Sequence, residues 1–149
     1  MRFARGITFP AIVLLVVVAG TWSLSAAQRN SSRRDVERGK YLVEEVAKCT
    51  ECHTPRDQNN QLIRGQWLQG APIWIKPVAP ITNWADSAPK LAGLPSYTDE
   101  QVKRVLENGQ GATGMPIQPP MHIYHMNDSD ATAIIAYLRS LSGSAPPQQ

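Results

Sequence analysis

The chain has 149 residues, enough for one domain and not comfortably for two. Its formal charge is +3, but Arg2 and Arg5 lie in an N-terminal leader; of 15 basic residues 13 stay with the remainder, against 12 acidic ones. That near-neutral domain has no basic patch interleaved with aromatics, which excludes a nucleic-acid partner; the chain's two Phe, Phe3 and Phe9, both lie in the leader, and a Pro- and Gly-rich remainder without Phe allows only a modest core.

After Arg2 and Arg5 comes an apolar run from Ile7 to Gly20, broken only by Thr8 and Pro10, and then Ser23, Ser25, Ala26 and Ala27. A basic start, a short apolar stretch and a small-x-small end make a secretory signal, with Ser25-Ala26-Ala27 as the cleavage site. The alternative is a retained anchor through residues 7–24, since Thr21, Trp22 and Leu24 bring the run close to the roughly 20 apolar residues of a membrane span. Residues 1–27 are therefore read as signal peptide or N-terminal anchor and 28–34 as a polar linker. Everything after them is expected outside the cytoplasm.

From Asp35 to about Cys49 the spacing predicts a helix. Val36, Gly39, Val43 and Val46 recur every three or four residues beside Leu42, with Glu37, Arg38, Lys40, Glu44, Glu45 and Lys48 on the other side. A glycine inside a helix costs about 1 kcal/mol relative to alanine, so Gly39 on the apolar face marks close approach of another helix.

That helix runs into Cys49-Thr50-Glu51-Cys52-His53, a C-x-x-C-H haem-attachment site. Two thiols separated by two residues reach the vinyl groups of adjacent pyrroles, and the histidine that follows donates a ring nitrogen to iron. Both cysteines of the chain fall in this window. The competing uses of such residues are weaker. A disulfide would close a very small ring, and a dithiol redox site would want a βαβ context. Zinc shared by Cys49, Cys52, His122 and His125 would have to span 69 residues between Cys52 and His122, against roughly 12–15 in a finger.

Between Thr54 and Tyr97 lie Pro55, Pro72, Pro77, Pro80, Pro89 and Pro95, with no strong helix or strand signal. A connection that long is reasonable if it wraps a cofactor, and Trp67, Trp74 and Trp84 are candidates to pack on a flat macrocycle. A second helix is expected over Asp99 to Asn108, with a Thr98/Gln101 capping box, Gly109 as the stop, and Val102, Val105 and Leu106 inward. The third is capped by Asn127, with Asp130 in the reciprocal position and Ala131, Ile134, Ile135, Leu138 and Leu141 as its stripe. Residues 143–149 read as a flexible tail.

An electron carrier fills the second axial position of its iron, and Met115, Met121, His122, His125 and Met126 are the residues available. Met126 abuts the helix cap. Met121 follows Pro119-Pro120, whose fixed φ angles hold the loop and aim the thioether. Met121 is the preferred ligand and Met115 the alternative.

The chain resembles the class I, single-haem cytochrome c domain over residues 35–142. The resemblance rests on Arg38-Gly39-Lys40-Tyr41-Leu42-Val43 ahead of Cys49-x-x-Cys52-His53-Thr54, on Tyr97-Thr98-Asp99-Glu100-Gln101-Val102, and on Pro119-Pro120-Met121 with His125-Met126-Asn127-Asp128 running into Ala133-Ile134-Ile135-Ala136-Tyr137-Leu138-Arg139-Ser140-Leu141. It implies a small all-α fold, three or more helices wrapped around one covalent haem c with long Pro-rich loops. The first and last helices would touch through a glycine, where Gly39 meets the region of Ile134 and Tyr137, and Met121 would be the methionine ligand. His122 departs from the pattern, which often has proline there. Arg56 and Trp84 are the candidates to bind propionates.

The function expected is one-electron transfer in the periplasm, soluble or tethered to the inner membrane, with dehydrogenases or terminal oxidases as redox partners and no catalytic chemistry of its own. The rival is a haem protein with an open sixth position that binds a gas or reduces a peroxide. A thiol–disulfide enzyme is a third reading.

Overall fold

A computed structural model describes residues 30–142; the leader 1–27 and the tail 143–149 lie outside the described residues. Residues 30–34, read from sequence as linker, are helical. From Asp35 onward the described chain forms one compact unit.

Helix α1 is regular through residues 35–41 and then widens into the π-turn Leu42–Val46. The Ala47 amide donates to the Leu42 carbonyl at 2.8 Å and the Cys49 amide to that of Val43 at 2.9 Å, and Lys48 turns left-handed at φ 52°. The expected regular helix to Cys49 is thus cut short. The wider turn also changes the register. Leu42 and Val43 are buried, whereas Val46, expected on the same apolar side, is 54% exposed.

Three short pieces organise the proline-rich stretch. After the single turn α2 (Thr50–His53) come a 3-10 turn at Arg64–Gln66 and two minimal strands, β1 (Ala71–Pro72) and β2 (Ser87–Ala88), paired antiparallel with Ala71 opposite Ala88. Leu68 and Leu94 bury completely from this stretch. The three tryptophans expected to behave alike do not. Trp67 is buried and donates to Glu44 at 3.2 Å; Trp84 is half-buried and donates to the Ile75 carbonyl at 3.3 Å; Trp74 is exposed, with the Arg56 guanidinium 5.1 Å from its ring centre.

Helix α3 (Asp99–Asn108) has the expected bounds. Thr98 and Gln101 close a reciprocal capping box at 2.9 and 3.3 Å, and Gly109 ends the helix at φ 68°. Val102 and Leu106 are buried and Val105 half-buried.

Helix α4 (Asp128–Ser140) starts at Asn127, whose side chain accepts the Asp130 amide at 2.8 Å. The Asp130 carboxylate does not return to the cap backbone; it takes Arg38 Nε at 3.0 Å instead, tying α4 to α1. Ala131, Ile134, Ile135 and Leu138 bury as expected, and Ala133 and Tyr137 bury as well because α4 is enclosed by both α1 and α3. The contact with α1 is made at Gly39. A Cβ there would lie 1.9 Å from the Ala133 carbonyl oxygen and 2.8 Å from Tyr137 Cβ. The described residues thus include helices α1 to α4 and the short β1–β2 ladder.

Candidate haem site

The left-handed Lys48 reverses the chain so that Cys49 caps a new turn. The amides of Cys52 and His53 both donate to the Cys49 carbonyl, at 3.3 and 3.0 Å, which puts Cys49 one tight turn ahead of the adjacent Cys52 and His53. Both thiols are free and half-buried. Burial pushes the Cys49 thiol up to about 11, and Cys52 is raised by burial and then by the Glu51 charge, with Arg56 opposing. Reactive dithiol enzymes need the opposite shift, toward thiolate, so these cysteines do not suit thiol–disulfide exchange.

His53 is 6% exposed. Its Nδ1 lies 2.8 Å from the Pro89 carbonyl oxygen. A carbonyl only accepts, so Nδ1 carries the proton and Nε2 keeps its lone pair. Burial lowers the imidazole pKa and the Pro89 bond works against that, leaving a neutral ring oriented as a metal ligand. The next residues lock the turn: Thr54 Oγ1 accepts the Leu68 amide at 3.0 Å and the His53 carbonyl accepts that of Gly70 at 2.8 Å.

The expected sixth-ligand loop separates its own candidates. Met115 sits at a turn where Gly111 donates to its carbonyl at 2.7 Å, and its side chain is 68% exposed. Met121 is half-buried. The loop before it is fastened by Ile117 to Gly109 at 2.9 Å and by Ala85 to the Pro119 carbonyl at 2.7 Å. His122 is exposed with its ring 4.0 Å from that of Tyr124 and tilted 48° to it, His125 is exposed at φ 52°, and Met126 packs on the core beside its cap. Tyr124 donates to the Ala47 carbonyl at 3.2 Å, tying this loop to the end of the π-turn.

Pro89 and Tyr124 are contributions that sequence reasoning missed. A backbone carbonyl leaves no side-chain signal, and Tyr124 is one tyrosine in an irregular loop. A cavity of about 400 Å³ between the π-turn and this loop is lined by Leu42, Val46, Ala47, Tyr124 and Met126 among others, but by neither cysteine, His53 nor Met121. It is separate from the attachment turn.

Two thiols one turn apart and a buried imidazole with its outer nitrogen free form a donor set suited to a covalently held haem. Comparison with known proteins agrees: residues 36–142 match the cytochrome c family model, and the chain belongs to that family. Covalently bound haem c and electron transfer are properties of the family. The chain is 34% identical over 120 residues to the fructose dehydrogenase cytochrome subunit of Gluconobacter japonicus, covering 77% of this chain and 24% of that protein. It is 31% identical over 123 residues to the cytochrome c subunit of the quinone alcohol dehydrogenase of Gluconobacter oxydans (strain 621H), covering 76% and 25%. It is also 31% identical over 120 residues to the gluconate 2-dehydrogenase cytochrome c subunit of Pantoea cypripedii, covering 74% and 27%. The chain thus spans about a quarter of the length of these relatives. They are cytochrome subunits, which carry electrons, not the catalytic subunits of their dehydrogenases.

Proposed function

We propose that this chain is an exported class I cytochrome c with a single haem, attached through Cys49 and Cys52 and ligated by His53 and Met121. It passes electrons one at a time from a dehydrogenase to an acceptor on the periplasmic side of the inner membrane. The observation that carries the reading is the buried His53 ring: its Nδ1–H is committed to Pro89, which leaves Nε2 free, and it directly follows a turn that carries two free thiols. When bound, the haem supplies the Fe(III)/Fe(II) couple. The chain contributes a fixed imidazole and a covalent hold that survives export.

The dehydrogenase partner is inferred from the relatives, in which a similar segment is part of a longer cytochrome subunit. Residues 1–27 would serve as a cleaved signal or keep the domain at the membrane; no helix among the described residues is long and apolar enough to cross one. The half-burial of Met121 against the exposure of Met115 favours a closed, six-coordinate iron.

The test is the visible spectrum and haem content of the domain, matured in a periplasm with attachment machinery. One haem per chain, covalent, with ferrous bands that carbon monoxide leaves unchanged, is the expected result. Bands that shift with carbon monoxide would replace the carrier with a ligand-binding or peroxide-reducing protein. More than one haem per chain would refute the single-haem reading.

A further inference from the structure

The proline-rich stretch carries a loop outside the attachment turn. Its base is the β1–β2 ladder, extended by the Ile73 amide, which donates to the Asp86 carbonyl at 2.9 Å. Trp84 closes the neck, its Nε1 donating to the Ile75 carbonyl at 3.3 Å, and the Ala85 amide fastens it to the Pro119 carbonyl at 2.7 Å. Beyond that neck lies Lys76-Pro77-Val78-Ala79-Pro80-Ile81-Thr82-Asn83, in which every residue from Val78 to Asn83 is exposed. Val78 is fully exposed, and Ile81 and Trp74 are exposed as well.

Water gives no reason for valine and isoleucine at such a tip, and an exposed apolar patch of this kind marks a contact surface. Charge selects a bilayer as the occupant. No Asp or Glu occurs from Gln58 to Ala85, whereas Arg64 and Lys76 fall within that run and Lys90 follows it. All three cations are exposed, and Lys76 and Lys90 join no ion pair among the described residues. Anionic headgroups attract a face of that kind. Polarity is graded in the same sense. Aliphatic side chains form the tip, and Trp74 and Lys76 stand at the neck, the order in which a bilayer passes from hydrocarbon to headgroup. Pro77 and Pro80 also have no N–H, which removes donors that lipid would leave unpaired. Where residues 7–24 stay as an anchor, the chain itself brings the loop close. Residues 25–29, ahead of the first described helix, reach at most about 18 Å, less than the width of the domain they hold.

We propose that loop 74–83 docks the domain on an anionic bilayer surface, with Val78 and Ile81 entering the interface and Trp74 and Lys76 lying at headgroup level. The contact goes beyond electron transfer and needs export of the domain, not the haem. It sets the orientation of the domain at the membrane, which a tether through residues 1–27 alone would leave free.

The test is a nitroxide label at Val78→Cys in the mature holoprotein, where haem has taken Cys49 and Cys52. On vesicles of phosphatidylethanolamine and phosphatidylglycerol, collisions of the label with oxygen should rise about twofold or more over those in solution. Collisions with a water-soluble nickel chelate should fall by a similar factor. A label at Thr132→Cys, exposed on α4, should show neither change. Phosphatidylcholine vesicles should give smaller changes, and Ile81→Asp in the labelled protein should reduce those on the anionic vesicles to about half or less. Unchanged collisions on both vesicles overturn the proposal. So do equal changes on the two lipids, which would remove the anionic surface, and changes that Ile81→Asp leaves intact, which would belong to the nitroxide. A label shielded from both probes already in solution would mean that the domain's own haem covers the tip. A label shielded on native inner-membrane vesicles, but unaffected by pure lipid, would mean a protein partner. Either result overturns the proposal. Label stoichiometry, one per chain when both attachment cysteines are taken, reports on the haem reading separately.

Discussion

Gly39→Ala is the substitution whose cost can be worked most directly from the structure. Helix propensity alone favours the alanine by about 1 kcal/mol. Packing opposes it. The new methyl would sit 1.9 Å from the Ala133 carbonyl oxygen, 2.5 Å from the carbonyl carbon and 2.8 Å from Tyr137 Cβ, where ordinary contact begins at 3.4 Å. Two of the three obstacles are backbone, so no rotamer change relieves them, and α1 and α4 must separate by about 1.5 Å. A gap of even ~1 Å forfeits about half the dispersion well of each contact it opens, and the buried Leu42, Val43, Ile134 and Tyr137 lie around this crossing. Overpacking of this kind costs about 1–3 kcal/mol in ordinary cores, and backbone obstruction puts it at the upper end. The net expectation is roughly 2 kcal/mol of destabilisation, or about 8 °C in Tm for a domain near 100 residues. Reversible thermal or guanidinium melts of the holoprotein, followed by circular dichroism, measure it. Gly65→Ala is the control, since nothing lies within 4 Å of its added methyl and its φ is ordinary. Melting of Gly39→Ala at or above the parent temperature would refute the close crossing of α1 and α4.

Met121→Ala should leave covalent haem in place, open the iron to carbon monoxide and lower the potential by at least about 59 mV, one decade for a single electron, while Met115→Ala changes neither; redox titration and carbon monoxide difference spectra check both. Tyr137 and Trp67 both donate to Glu44, joining α4 and the loop after α2 to α1, so Tyr137→Phe should cost about 1–2 kcal/mol in denaturant titrations at neutral pH. The same variant should alter alkaline behaviour. Burial, then the Glu44 contact, raises the Tyr137 pKa, so its contribution is full below the unfolded value of about 10 and is lost as pH rises toward the folded value. Parent stability should therefore fall above about pH 10, and Tyr137→Phe should flatten part of that fall; identical slopes would count against it. Arg139 donates to the carbonyls of Gly93, Leu94 and Tyr97 and to Asp99, so Arg139→Ala should cost roughly 2 kcal/mol, and Arg139→Lys should recover little of it. A lysine variant as stable as the parent would argue against the planar clamp.

Where a feature depends on neighbours in sequence, it could be read there. The bounds of α3 follow from Thr98, Gln101 and Gly109, and the start of α4 from Asn127. Gly39 was informative because a helix tolerates glycine only for a reason, and that reason is Ala133. The π-turn is not legible: nothing in Leu-Val-Glu-Glu-Val distinguishes it from an ordinary turn, so the spacing points Val46 inward whereas it faces out. A strand of two residues has no period to detect, which hid the pairing of Ala71 with Ala88. Arg139 lies on the apparently solvated side of its helix and reveals its role only through carbonyls about 42–46 residues away. The site divides in the same way. Cys49 to His53 is one contiguous motif, but the acceptor that orients His53 is a backbone oxygen 36 positions downstream.

That division has a dynamic consequence. On the His53 side every restraint is short-range or buried: the α2 turn, the Nδ1 bond to Pro89, the Thr54–Leu68 bond and the His53–Gly70 bond, with His53 and Thr54 both out of solvent. On the Met121 side the proposed ligand is half-buried in a long loop fastened at points away from it, at Gly109, Ala85, Ala47 and Leu106. Regions with few buried contacts open before the global transition does. As denaturant rises, the methionine-to-iron band should therefore vanish before the helical circular dichroism changes, while thioethers and His53 retain the haem. Coincident transitions by the two probes would mean instead that the Met121 loop is part of the same cooperative unit as α1, α3 and α4.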